Sequence, residues 1–327
     1  MAFVTKFEFA PAEWLPYRNR EVLDKVVLEN FYERQGKNFE NPDFELKGVH
    51  DVHNYFAIDL FHRIRLSDVQ NKKLVIILPS PENAVFITAV EALNKFRVSC
   101  RNVHVFFLYE YANEKGQVAP WQSPYSRSGH FMRYFYERLD TELRMPMEQI
   151  HFFTNENWKN YSDLIAAEGG ADVAYTAMSW SGGIGAIDAD TYPAETMEEF
   201  LAMGSNYVTP MAETICDDSL RGMFGCSGDI GNVPPCAVTV GPKDIAAAKE
   251  RVDIEYMAGC GNAPCHQATP CKLNLFAPID PKLPGSMLRL FPGVCLVSDA
   301  VAAAGVYRPD RDWIGEEIEA IRKREQG

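Results

Sequence analysis

A three-layer, Rossmann-like α/β domain with a mainly parallel sheet is predicted from two features of the chain. Short continuous apolar runs, of which Leu74-Val75-Ile76-Ile77-Leu78 is the clearest, recur between helical patterns. Such runs mark strands covered on both faces, and strands that alternate with helices require right-handed crossovers. Turn residues stand at the ends of the runs, as in Pro79-Ser80-Pro81 and in the glycine-rich 179–188.

The N-terminal part reads as helical. Val22, Leu23, Val26, Val27 and Phe31 are spaced for one face of a helix over residues 19–37. Residues 38–49 read as an irregular polar connection. A second helix over 50–66 is expected to bury Val52, Tyr55, Phe56, Leu60 and Phe61. Residues 1–70 are thus expected as a helical extension packed on an α/β domain of residues 71–327.

Within that domain, Ser80, Pro81 and Glu82 supply an N-cap, a proline and an acid for a helix ending near Phe96. Strands are expected at 103–108, 151–153, 171–178, 206–209, 237–240, 254–257 and 293–297. Helices are expected at 126–143, 161–168 and 194–203. The charged C-terminus reads as an exposed helix.

A formal charge of −13 without a basic stripe argues against nucleic acid or an anionic membrane as partner. The first residues lack a charged and then apolar leader, and no segment has the length of a membrane span. A cytoplasmic protein is the expectation. Eight cysteines in such a chain point to thiols rather than disulfides. Cys260, Cys265, His266 and Cys271 place three thiols and an imidazole, soft ligands of the kind zinc prefers, within twelve residues, but at spacings without the two tight pairs of a structural zinc site. Buried free thiols are expected there, with zinc and a redox-sensitive pair as alternatives; no metal and no cofactor are assigned.

Ligands of parallel sheets bind at the carboxyl ends of strands, near a switch in strand order. Tyr109, Ser179 and Gly259 each follow an expected strand and become candidates for one cleft. The glycines at 182, 183 and 185 lack the acidic residue that a dinucleotide fingerprint needs, so a tight turn allowing close approach of a ligand is the better reading. His130 and His151 are the histidines nearest this cleft in the expected layout, each read as a core or surface residue.

Four segments in order, LYEY at 108–111, SWSGGIGAID at 179–188, VPPCAVTVG at 233–241 and LPGSMLRLFPGVCLVSDAVAA at 283–303, resemble the glucosamine-6-phosphate deaminase/isomerase family, whose fold is shared with the 6-phosphogluconolactonases. The resemblance covers about residues 73–304 and implies aldose-ketose isomerisation of an amino sugar phosphate with loss of ammonia. It also implies a homo-oligomer. That chemistry uses a carboxylate that moves a proton between carbons, a histidine that helps open the ring, and a phosphate cradle.

At each of these places the chain departs from the family. The proton-transfer aspartate aligns with Tyr109, a phenol whose ordinary pKa of ~10 makes it a poor base. Glu110 and Tyr111 keep their family types, which leaves Glu110 as the candidate base, with an ordinary structural carboxylate as the alternative. The Asp-Gly-His of the loop arrives as Ile184-Gly185-Ala186, and Asp188 and Asp190 are candidates to replace the lost carboxylate. In the phosphate turn Pro79 and Pro81 remove donors, and Asn262 stands where the family has a lysine. The candidate binding set is therefore Tyr109, Tyr111, Ser80, Ser179, Ser181, Gly182, Gly183, Gly185 and Asn262, around the candidate catalytic groups Glu110, Asp188 and Asp190. Two functions follow: an isomerase/deaminase of amino sugar metabolism with altered reacting groups, or a non-catalytic sugar or sugar-phosphate binder.

Overall fold

The computed structural model describes residues 28–34, 39–81, 83–220, 224, 227–255, 268–298 and 301. After α1 (Leu28–Arg34), the chain enters β1 (Phe44–Val49), α2 (Val52–Gln70), β2 (Leu74–Leu78), α3 (Asn83–Phe96) and β3 (Val103–Phe107). β4 (Tyr109–Ala112) follows β3 almost directly, and then come α4 (Arg127–Phe131), β5 (Ile150–His151), α5 (Tyr161–Ala167) and β6 (Val173–Thr176). The last part holds α6 (Met197–Leu201), β7 (Asn206–Val208), α7 (Ala212–Ser219), β8 (Cys236–Thr239), α8 (Pro242–Ala247), β9 (Glu250–Glu255), α9 (Ala268–Phe276) and β10 (Gly293–Ser298).

Seven strands form one parallel sheet in the order β1-β10-β9-β6-β2-β3-β5. β2 is buried along its whole length, as its unbroken apolar run requires. From β2 the chain proceeds outward through β3 and β5, then returns to place β6 on the other side of β2. The boundary between β2 and β6 is therefore a topological switch point. A second, antiparallel sheet of order β4-β8-β7 stands beside the first. No helix among the described residues is long and apolar enough to cross a membrane.

Several expectations are corrected. Residues 44–49, expected as an irregular connection, form the edge strand β1, in register with β10 from Phe44 against Gly293 to Val49 against Ser298. Phe44 and Leu46 are buried while Glu45 and Lys47 lie at the surface; this alternation of a half-exposed edge strand made the segment look polar. Residues 44–70, expected within a helical extension, thus contribute a strand to the main sheet and a helix, α2, packed against it. α2 is capped by Asp51, which accepts the Asn54 backbone N–H at 3.0 Å, and runs four residues past the expected end at 66. α3 begins at Asn83, so Ser80 is not its cap. β9 begins at Glu250 rather than 254, because burial of its charged residues is balanced by partners that no local pattern reveals. Arg251, 2% exposed, donates to the carbonyls of Ile245 and Pro292 at 2.9 and 3.1 Å.

The helix expected over 126–143 is α-helical only to Phe131, then π-helical over Met132–Tyr136, with the Glu137 N–H bonded to the Met132 carbonyl at 2.9 Å. Cys100, Cys216, Cys236, Cys271 and Cys295 are free thiols. Cys260, Asn262, Cys265, His266, the expected strand end at 256–257, most of the first expected helix and the C-terminal helix lie outside the described residues.

Candidate functional site

The site is set by the way the chain leaves β3. At Leu108 it passes from the parallel sheet into β4, and Leu108 holds both sheets: its N–H donates to the Leu78 carbonyl at 2.9 Å, and its carbonyl accepts the Val240 N–H at 3.0 Å. Alternation along β4 then sends Tyr109 and Tyr111 to one face and Glu110 to the other.

On the first face, the Tyr109 and Tyr111 hydroxyls donate to Asp218 of α7 at 3.1 and 2.8 Å. Arg127, the first residue of α4, donates from Nη2 to Asp218 Oδ1 at 2.6 Å and to the Tyr111 hydroxyl at 2.9 Å. Its guanidinium carbon lies 3.8 Å from the centre of the Tyr109 ring. Burial opposes the Arg127 charge, but Asp218 and the two phenols outweigh it and hold its pKa above the ordinary value. Burial, together with Asp218, pushes the Tyr111 phenol well above its usual range despite the neighbouring guanidinium.

On the other face, Glu110 is 1% exposed and closes the start of α4. Oε1 accepts the backbone N–H groups of Tyr111 and Arg127, both at 2.9 Å. Oε2 accepts the Ser126 and Ser128 hydroxyls at 2.7 and 2.6 Å and the Ser128 N–H at 2.9 Å. A carboxylate with five donors at a helix N-terminus is a capping group.

The glycine-rich loop turns at Gly182 and Gly185, with φ of +78° and +61°, a conformation that residues with side chains rarely adopt. A Cβ on Gly183 would lie 2.5 Å from Asp188 Oδ1. Asp188 is fully buried and accepts the Ser181 hydroxyl at 2.5 Å, the Thr214 hydroxyl at 2.9 Å and the Met211 N–H at 3.1 Å. It therefore binds the loop to α7. Burial raises its pKa to about 6, against the lowering effect of those three bonds.

A cavity of about 230 Å³ opens at the switch point. Ser80 beyond β2 and Ala177 and Ser179 beyond β6 form its floor, with Tyr109 and Gly185 beside them. His130, Arg133 and Tyr134 line one side, from α4 and the π-helical turn, and Thr214, Asp217 and Asp218 of α7 line another. π-Helical turns recur at functional sites because they redirect side chains within a helix. Arg133 donates to the Pro124 carbonyl at 3.4 Å and pairs with no carboxylate among the described residues. Burial first, then the two arginines, hold His130 neutral with its pKa lowered to about 3. Its Nε2 meets Asn83 Oδ1 in a short hydrogen bond.

Of the residues singled out from sequence, Ser80, Tyr109, Ser179 and Gly185 line this cavity. Glu110, Tyr111, Ser181, Gly182, Gly183 and Asp188 are not among its lining residues, and Asp190 is exposed outside it. His130 is at the cavity, whereas His151 pairs with His104 at 3.3 Å, outside the lining. Arg127, Arg133, Asp217 and Asp218 were missed. The paired acids at 217–218 precede the residues expected as a strand near 237 by too far for any local motif to assign them to this cleft.

No family model matches the sequence. Among solved structures, the fold is similar to that of a monomeric glucosamine-6-phosphate deaminase, with a TM-score of 0.63 and 17% identity over 79% of this chain and 98% of that one. It is also similar to 6-phosphogluconolactonases from Thermotoga maritima (TM-score 0.54, 12% identity, 78% of this chain and 100% of that one) and Leishmania guyanensis (0.54, 13%, 80% and 98%). At these identities the likeness establishes a shared fold.

Proposed function

We propose that this chain, which shares the fold of the glucosamine-6-phosphate deaminases and 6-phosphogluconolactonases, binds an amino sugar phosphate in the cavity at its switch point and acts on it as an isomerase/deaminase with altered reacting groups. The observation that carries the reading is the mixed charge of the cavity wall: Arg133 and Asp217 stand beside the Arg127–Asp218 pair, whose charges neutralise each other. Such a wall complements a ligand with an anionic and a cationic end. Arg133 takes the phosphate, since Arg127 is engaged by Asp218. Asp217 takes the ammonium group and is the carboxylate placed to move a proton. Glu110, Asp188 and Tyr111 support the wall in this reading, and Ser80, Tyr109 and Ser179 bond sugar hydroxyls. The protein would work in the cytoplasm.

A second reading, a sugar-phosphate binder without turnover, is favoured by one observation. Ala186, fully buried, carries no ionisable group at the loop position where the resemblance implies a ring-opening histidine. The test is incubation with glucosamine 6-phosphate, following ammonia and ketose. Turnover abolished by Asp217→Asn supports the enzyme. Ligand-induced stabilisation without product supports the binder. Absence of both overturns the sugar-phosphate reading.

A further inference from the structure

Away from the cavity, three side chains that the proposed function does not use converge at the β3–β5 edge of the sheet. His104 and Phe106 point to the same face of β3, two residues apart. Phe106 is in register with His151 on the edge strand β5, so the two histidines come together. The His151 ring stacks on Phe106 at 4.1 Å with 5° between planes, which sets its orientation. Glu168, the C-terminal cap of α5, completes the group. His104 Nδ1 lies 3.3 Å from His151 Nε2 and 3.4 Å from Glu168 Oε2, and the three donor atoms all fall within 4.8 Å of one another.

We propose that His104, His151 and Glu168 form a binding site for a divalent transition-metal ion of the zinc class. Tetrahedral zinc with ligands at about 2.0–2.2 Å needs donor atoms about 3.3–3.6 Å apart, and two of the three edges already have that length. Two imidazoles and one carboxylate are a borderline-soft set that suits zinc and disfavours magnesium or calcium. All three side chains are partly exposed, so an ion has access. Water takes the fourth position.

Lys73 is the competitor. Its ammonium group lies 3.0 Å from Glu168 Oε2, so a metal ion displaces it; at 48% exposure the lysine side chain can leave into solvent. The site also explains what the ion would do. β5 is paired to β3 through two register positions only, at an edge of the sheet. A bound ion joins β5, β3 and the end of α5.

The experiment titrates zinc into the full-length, metal-stripped protein, with calorimetry and melting temperature as readouts. One equivalent is expected to bind at this site and raise the melting temperature. His151→Gln and Glu168→Gln are each expected to weaken that binding about tenfold or more, the scale on which even outer partners of metal ligands act. Lys73→Met is expected to tighten it several-fold, an effect that a purely structural histidine pair would not give. Cobalt substitution and a Cys265→Ser/His266→Ala variant distinguish the cysteine cluster. A cobalt spectrum without a thiolate charge-transfer band, and unchanged binding in that variant, support the proposal. Zinc affinity unaltered by His151→Gln and Glu168→Gln, or by Lys73→Met where those variants do not fold, overturns it.

Discussion

Arg127 and Asp218 are bonded at 2.6 Å, with side chains 9% and 8% exposed, across 91 residues of sequence. This pair joins the start of α4 to the end of α7 and forms part of the cavity wall. Removing one member of a buried ion pair leaves the other uncompensated, which costs about 3–5 kcal/mol. Asp218→Ala is therefore expected to lower stability by that amount in urea unfolding, and the double replacement Arg127→Met/Asp218→Leu to recover most of it. A loss below about 1 kcal/mol in Asp218→Ala would show that the pair is not what holds the two helices.

Glu110→Gln converts an acceptor of five donors into a group that must turn an N–H toward some of them. A loss of about 2–4 kcal/mol is expected, the sum of a weakened cap and unmet buried donors. Ligand affinity measured well below the melting temperature should change by less than about twofold. Turnover abolished at full thermal stability would instead make Glu110 a reacting group.

Asp188 gives a pH dependence. Its folded-state pKa of about 6 is above its ordinary 3.8, so the native protein holds this proton more tightly than the unfolded chain does. The stability it contributes is full below about pH 4 and is lost as pH rises through about 6, amounting to about 3 kcal/mol. Asp188→Asn cannot titrate. The difference in unfolding free energy between the two proteins should change across that window and be flat above about pH 7; a flat difference throughout would contradict the assignment.

Arg133→Gln tests the phosphate contact. Loss of a charge-assisted contact should weaken binding of a phosphorylated amino sugar about tenfold or more, while binding of the unphosphorylated sugar stays within about twofold. Equal losses for both ligands would place the phosphate elsewhere. The substitution should leave the melting temperature nearly unchanged, because Arg133 is half-buried and pairs with no carboxylate among the described residues.

Apolar periodicity carried the central strands. β2, β3 and β6 are fully or almost fully apolar and were legible with their boundaries within a few residues. β1 and β9 were not, or only in part. In β1 half the side chains face water, and in β9 Arg251, Asp253 and Glu255 are buried with partners far along the chain. Tyr109 and Ser179 could be placed at the cleft because residues following parallel strands lie at its mouth, whereas Ser80 and Gly185 were reached through the family resemblance of their loops. Glu110 was identified as a carboxylate of interest, but its role depended on which face of β4 it occupied.

The order of hydrophobic segments, a local and short-range property, determined the parallel sheet, its crossovers and the end at which a ligand would enter. Tertiary structure alone decided the chemistry of the wall, because Asp217, Asp218 and Arg133 reach the cavity only once α7 and the π-helical turn pack beside β4. Charged side chains carry no periodic signal, and their roles are set by long-range neighbours and burial rather than by the residues next to them.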